Sequence, residues 1–376
     1  MISSAETSTS KLPHVEEKLS IQCKKFADDS IAIRALDWER SRFDIEFGLR
    51  NGTTYNSFIV KGNKLAIIDT CHSKFEELWL DNLIKQVNPQ DIDYLISSHT
   101  EPDHSGLISH LLDLNPNIII VGSKIALKFI EDQIHRPFNR LEVKSGEFLE
   151  LGTNIESNLD HKIEFISAPN LHWPDTIFSF DHATNVLYTC DAFGLHYCSN
   201  ECFDTNQNEI FKDFRFYYDC LMGPNSRSVI QAIKKINKLP QVKVIAVGHG
   251  PILKEHVDSW KDNYFEWSNN KSKGNEFVAV CYISDYGFCD RLSQSLSHGI
   301  SKADAQVQLI DLRSSDSQEL TALISESKAV VIPTWPQNAD SELQESIGTL
   351  FAALKPKQFT AVYDAFGGND EPIDSL

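Results

Sequence analysis

Short apolar runs separated by turn residues fill the chain up to about residue 268. "YNSFIV", "LAIIDT", "YLISS", "IIIVGS", "KIEFISA", "NVLYTCD" and "VKVIAVGHG" have the length and β-branched content of strands, and "FDIEFGL" joins them. "EELWLDNLIKQV" and "SRSVIQAIKKINKL" repeat apolar residues at helical spacing. Many strands with few helices predict an α+β or layered α/β/α domain over residues 28–268. "EVKSGEFLELG" predicts a hairpin. Residues 1–27, opening "MISSAETSTSKLP", predict a disordered tail, and the polar stretch around residues 269–276 predicts a linker.

Beyond the linker the texture changes. "FVAVCYIS", "AQVQLIDL", "AVVIPT" and "FTAVYDAF" are strands, and "CDRLSQSLSHGI", "SQELTALISES" and "SELQESIGTLFAAL" are helices between them. That strict alternation predicts a parallel, doubly wound sheet over residues 277–376.

Charge narrows the function classes. The formal net charge is −18, with 41% hydrophobic and 23% charged residues. Such a chain repels nucleic acid and anionic membranes. No apolar run reaches the length of a membrane span and no targeting peptide is read, so a cytoplasmic location is expected. The 8 cysteines form no C-x-x-C pair, which predicts reduced thiols.

The stretch "SSHTEPDHSG" carries His99, Glu101, Asp103 and His104 directly after a predicted strand. Positions i, i+2 and i+4 of an extended segment project to one side, so His99, Glu101 and Asp103 are aimed at one point. His104 follows as the chain turns into "LISHLLDL". Three more candidates sit past strand ends: His172 in "SAPNLHWPDT", Asp191 in "VLYTCDAFG" and His249 in "VKVIAVGHGP". Four imidazoles and three carboxylates exceed the needs of one tetrahedral zinc and suit two metals sharing a carboxylate. Nitrogen and oxygen ligation without thiolate favours iron. Cys190 adjoins Asp191, but strand alternation turns it to the opposite face. The stretch Trp173–Asp175 is expected to orient ligands, and Asp69 either supports the metal loops or caps a turn. The other histidines show no ligand pattern, although His196, five residues past Asp191, lies close to the expected cavity.

These residues resemble the flavodiiron proteins, which join a metallo-β-lactamase-like αββα sandwich to a flavodoxin-like domain. The resemblance covers nearly the whole chain. In ordinary hydrolases of that sandwich the motif reads H-x-H-x-D-H; here Glu101 replaces the middle histidine. The resemblance implies that one iron takes His99, Glu101 and His172, the other takes Asp103, His104 and His249, and Asp191 bridges them. "FDIEFGLRNGTTYNSFIV", "TCDAFGLHYCSNECFD" and "SDYGFCDRLSQSLSHGI" look most like the oxygen-reducing members of cyanobacteria and chloroplasts. Those relatives usually carry a C-terminal NAD(P)H:flavin reductase domain, and none is expected within these residues.

By the same resemblance, FMN is held by Ser284, Asp285, Tyr286, Gly287, Phe288 and Cys289 after the first strand of the second unit. Thr334, Trp335, Pro336, Gln337 and Asn338 follow the third strand, and Phe366, Gly367, Gly368 and Asn369 the fourth. A loop opening a helix presents free N–H groups to a phosphate. A flavodoxin sheet has five strands in the order 2-1-3-4-5, and this chain supplies four, so the second domain is expected to be truncated. The implied activity is reduction of dioxygen to water at the iron pair, with electrons relayed by FMN. Nitric oxide reduction on the same metals is the nearest alternative; a metallo-hydrolase and a non-catalytic partner subunit are two others. The implied partners are an NAD(P)H-linked or ferredoxin-like electron donor and a second chain, in a head-to-tail homodimer or a heterodimer with a related protein.

Overall fold

Strands form where apolar and β-branched residues run together, and helices cover the faces these strands leave open. The computed structural model describes residues 18–43, 47–272, 276–283, 288–303, 305–313, 315, 317–335 and 339–364. Its strands are β1 (Leu19–Ala27), β2 (Ser30–Asp37), β3 (Arg42–Phe43), β4 (Phe47–Gly48), β5 (Thr53–Lys61), β6 (Leu65–Ile68), β7 (Ile92–Ile96), β8 (Ile119–Gly122) and β9 (Asn139–Glu142). These are followed by β10 (Phe148–Thr153), β11 (Asp160–Ser167), β12 (Ile177–Asp181), β13 (Val186–Cys190), β14 (Val244–Val247), β15 (Phe277–Tyr282), β16 (Gln306–Asp311), β17 (Ala329–Pro333) and β18 (Phe359–Tyr363). The helices are α1 (Glu76–Gln86), α2 (Pro102–Ser105), α3 (Ile108–Leu114), α4 (Lys124–Ile134), α5 (Gln207–Tyr217), α6 (Ser226–Ile236), α7 (Val257–Ser272), α8 (Phe288–Lys302), α9 (Ser317–Glu326) and α10 (Ser341–Ala353).

A seven-stranded sheet, β1-β2-β5-β6-β7-β8-β9, faces a five-stranded sheet, β10-β11-β12-β13-β14. Phe58, Ile68 and Val121 of the first meet Phe165, Val186 and Tyr188 of the second in one buried layer. On the outer face of the first sheet, Ile59, Ile67 and Leu95 pack against Trp79 of α1, Leu111 of α3 and Ile130 of α4. On the outer face of the second, Phe178, Leu187 and Ile245 pack against Phe214 of α5, Ile233 of α6 and Trp260 of α7. The layers are therefore αββα, the expected metallo-β-lactamase-like sandwich. Central strands are covered on both sides, so β5 is buried at every position except its last.

The third sheet is parallel, in the order β16-β15-β17-β18. The chain leaves β15 toward β16 and then reverses to β17, which makes the sheet doubly wound and flavodoxin-like. β18 lies at its edge with Phe359 70% and Val362 38% exposed.

Four expectations need correction. The tail predicted over residues 1–27 includes β1, which pairs antiparallel with β2 across a turn where Asp29 has φ 54°. Leu19, Ile21 and Cys23 alternate toward the outer core of the first sheet, and the intervening polar residues hid the strand. The linker predicted over 269–276 begins too early, because α7 runs through Ser272. The supposed hairpin "EVKSGEFLELG" is a crossover: β9 pairs parallel with β8, while β10 enters the second sheet. The fourth concerns Asp103. The chain leaves its extended path at Glu101, and Pro102, with φ already suited to a first helical position, starts α2. Asp103 and His104 are thus presented by a helical turn. Among the described residues, no helix is long and apolar enough to cross a membrane.

Candidate metal centre

The parallel strands β6, β7 and β8 deliver their carboxyl ends to one rim of the sandwich, and the loops from β11, β13 and β14 reach the same rim from the other sheet. Past β7, His99 is fully buried. Its Nδ1 lies 3.2 Å from Oδ1 of Asp175, itself fully buried. The other oxygen of Asp175 accepts from the Thr100 amide at 2.8 Å and the Thr100 hydroxyl at 2.6 Å. One carboxylate thereby holds both the imidazole and the strand end that carries it. Asp69, with φ 57°, accepts the Ser98 amide at 2.7 Å, so it braces the same loop.

His249 sits between two glycines. A Cβ on Gly248 would lie 2.8 Å from Cε1 of His104, and Gly250 has φ +84° with the Leu195 carbonyl 2.6 Å from where a Cβ would be. Only glycine fits either place. Polar residues of β5 fasten this turn: the Asn56 amide group donates to the Val247 and Gly250 carbonyls, both at 2.9 Å, and Thr54 Oγ1 accepts the Gly250 amide at 2.8 Å.

All seven expected residues converge. Nε2 of His99 and of His172 lie 3.4 and 3.2 Å from Oδ2 of Asp191. Nε2 of His104 and of His249 lie 3.0 and 3.2 Å from its Oδ1. Glu101 Oε2 joins the first pair, 3.2 Å from His99 and 3.0 Å from His172. Asp103 joins the second, 3.5 Å from both His104 and His249. Asp191 therefore stands between two donor sets, one oxygen turned to each.

His249 Nδ1 donates to the Thr54 carbonyl at 2.6 Å, and His99 Nδ1 faces the Asp175 carboxylate. Carbonyl and carboxylate oxygens only accept, so both Nδ1 atoms carry hydrogen and the neutral rings turn Nε2 lone pairs toward carboxylate oxygens. Acceptor facing acceptor needs a cation between them. Burial opposes charge on the imidazoles, but Asp175 and Glu101 outweigh it at His99, and Asp103 and Asp191 at His104; both are pushed up to about 10. His172 is raised well above its ordinary value by Glu101 and Asp191 against the same opposition from burial. Burial likewise opposes ionisation of Asp191, yet His104, His172 and His249 hold it well below the usual carboxylate range. Donor separations of 3.0–3.5 Å match the edges of a coordination polyhedron with bonds of about 2.1 Å. The donor set fits two metal ions.

A cavity of about 150 Å³ opens beside Glu101, His172 and Asp191 and is closed by Arg40, His196 and Tyr217. Arg40 and Tyr217 escaped sequence reading, since a lone arginine past a strand and a tyrosine in an aromatic helix carry no ligand spacing. Cys190 differs from expectation as well. With φ 52° and a bulge against β14, it leaves the strand alternation, and its sulfur comes within 4.8 Å of the donor atoms of His104 and Asp191.

A family model described as "ODP family beta lactamase" matches residues 53–250, a span that holds the seven converging residues. Diflavin flavoprotein A 1 of Synechocystis sp. is 48% identical over 98% of this chain and 63% of its own length. The Flv1 flavodiiron core of Synechocystis sp. superposes with TM-score 0.72 at 28% identity, covering 96% of this chain and 89% of that one. This chain belongs to the flavodiiron family. Rubredoxin oxygen:oxidoreductase of Desulfovibrio gigas shares the fold, with TM-score 0.62 at 23% identity over 92% of this chain and 86% of that one. The flavodiiron chain spans less than two thirds of the Synechocystis relative's length.

Of the residues expected at a flavin, Ser284, Asp285, Tyr286, Gly287, Pro336, Gln337, Asn338, Phe366, Gly367, Gly368 and Asn369 lie outside the described residues, as do the side chains of Phe288 and Cys289. The Thr334 hydroxyl bonds Asp364. Trp335 packs edge-on to Phe351 of α10, with ring centroids 5.7 Å apart.

Proposed function

We propose that this flavodiiron chain forms the electron-accepting core of an oxidoreductase that reduces dioxygen to water, with nitric oxide as the competing substrate. The observation that carries the reading is the division of Asp191, whose two oxygens face separate sets of imidazoles and carboxylates. In this reading His99, Glu101 and His172 hold one iron, Asp103, His104 and His249 the other, and Asp191 both. A bound iron pair supplies Lewis acidity and electrons to a diatomic ligand. Asp175 and the Thr54 carbonyl keep the imidazoles of His99 and His249 in the ligating tautomer. Phe43, Tyr217 and Leu221 narrow the cavity and limit water. Glu101, an anionic oxygen where hydrolases carry an imidazole, favours redox work over hydrolysis.

We further propose residues 19–272 and 277–376 as the two domains, with FMN in the loops that follow β15, β17 and β18. The flavin and iron names of the relatives support that assignment. Electrons come from an NAD(P)H-linked or ferredoxin-like donor, and a second chain, in a head-to-tail homodimer or a heterodimer with a related protein, brings its flavin near this iron site. A reducing, cytoplasmic setting suits the described cysteines, none of which is in a disulfide. The test is metal and flavin analysis of the purified protein, then anaerobic reduction and separate oxygen- and NO-consumption assays. One iron pair per chain and faster oxygen consumption are expected; bound zinc with esterase activity would sink the proposal.

A further inference from the structure

His196 is 7% exposed and sits in the wall of the metal cavity without facing any of the carboxylates as a ligand. Its ring packs 4.7 Å from that of His249, 4.9 Å from Tyr217 and 4.2 Å from Phe43. Three rings therefore fix its orientation. Nδ1 lies 2.8 Å from Thr53 Oγ1, while Nε2 is buried with no hydrogen-bond partner. A buried polar atom left unpaired is costly, so an unpaired one lining a cavity points to a partner that comes and goes.

The hydrogen on that nitrogen follows from Thr53. The Thr53 hydroxyl has two acceptors within reach, Nδ1 of His196 at 2.8 Å and the Thr54 carbonyl at 3.3 Å. The Thr54 carbonyl already takes the His249 Nδ1–H at 2.6 Å. At 2.8 Å against 3.3 Å the Thr53 proton goes to Nδ1, which leaves His196 neutral with its hydrogen on Nε2. The cavity, about 150 Å³, has room for a metal pair and a ligand of two or three atoms.

We infer that His196 is a substrate-contacting residue that donates a hydrogen bond from Nε2 to the small oxygen- or nitrogen-ended molecule occupying the cavity, in a tautomer set by Thr53. His196 packs on His249, of the second donor set, whereas Trp173 packs on His99 and His172, of the first. Its sequence signal was only its distance from Asp191 along the chain.

The inference rests on the metal reading of the site, so metal analysis comes first and azide binding second. Azide serves as the probe, titrated by absorbance into iron-loaded wild type, His196→Phe, His196→Gln and Thr53→Val. At equal iron content, His196→Phe is expected to bind azide roughly tenfold more weakly, the loss of one hydrogen bond to a charged acceptor. His196→Gln keeps a donor and is expected to recover most of that loss, and Thr53→Val is expected to fall between. Azide affinity in His196→Phe and Thr53→Val within about twofold of wild type overturns the inference. So does loss of iron from His196→Phe and His196→Gln alike, which would make the ring a support for His249. Absence of iron from the wild type overturns the metal reading itself, and the first measurement alone reports it.

Discussion

Asp191 sets the residue scale, because a single carboxylate answers to four imidazoles. Its surroundings have an electrostatic consequence. With no metal, protons supply the missing cations: His99 and His104 hold theirs up to about 10. Iron binding at neutral pH must expel them, so affinity for ferrous iron should rise with pH and binding should release protons. Titration calorimetry in buffers of different ionisation enthalpy reads that release; a count of zero would contradict the proposed ligand set. Close approach governs the neighbouring glycine. Gly248→Ala would place Cβ 2.8 Å from the His104 ring and 3.1 Å from the Cys190 backbone. Because backbone cannot yield, the imidazole moves, and iron content is expected to fall toward half with a stability loss of about 1–3 kcal/mol. Metal analysis and thermal unfolding of the variant check both.

At the scale of elements, α7 shows how a helix is anchored from outside itself. Asp204 is 1% exposed and lies just past a short parallel bridge from Phe203 to Ile252. One oxygen accepts the amides of Lys254 and Glu255 at 2.7 and 2.9 Å; the other accepts the His256 amide at 3.2 Å and the Trp260 indole at 2.7 Å. The three amides belong to the turn just before α7 and the indole to its first turn, so one buried carboxylate ties the helix to the segment that leads into it. Trp260 and Tyr264 of α7 then support the second sheet beneath the Asp191 loop, and the Tyr264 hydroxyl receives the Phe193 amide at 3.1 Å. Asp204→Ala should cost about 2–3 kcal/mol, since it strands several buried donors at once. Denaturant unfolding measures the cost, whereas Asp204→Asn should lose less because one acceptor remains.

For the whole molecule, a polar clamp joins the two sheets of the sandwich. His161 of β11 is fully buried; its Nδ1 lies 2.9 Å from Asp181 at the end of β12, and its Nε2 lies 3.1 Å from Asp29 in the β1–β2 turn. Both partners accept only, so the imidazolium satisfies both. Burial opposes that charge, but Asp181 and Asp29 outweigh it and raise the pKa. A raised folded-state pKa contributes stability fully below the unfolded value of about 6.5 and loses it as pH rises through the folded value. His161→Gln should therefore be less stable than wild type by about 1–3 kcal/mol near pH 6, with the gap shrinking as pH rises. A gap that widens with pH would contradict the clamp. The sandwich is tied to the parallel sheet where Asn170 donates to the Leu309 carbonyl at 3.1 Å and Gln308 to Ser228 at 2.9 Å.

Local pattern by itself determined the layered class, the alternation of β15 through β18 with α8 to α10, and the crowding of His99, Glu101, Asp103 and His104. Each depends on neighbours along the chain, through side-chain period, turn chemistry or spacing within a loop. It also marked His172, Asp191 and His249, because residues just past strand ends are where loops carry chemistry. Tertiary structure alone decided that the oxygens of Asp191 face two donor sets, that Asp175 and Thr54 choose the tautomers, and that His196 lines the cavity with its Nε2 unpaired. It also made β1 a strand rather than a tail and turned the backbone at Cys190. Those outcomes depend on groups as many as 195 residues apart meeting at one rim, and no periodicity along the chain records such meetings.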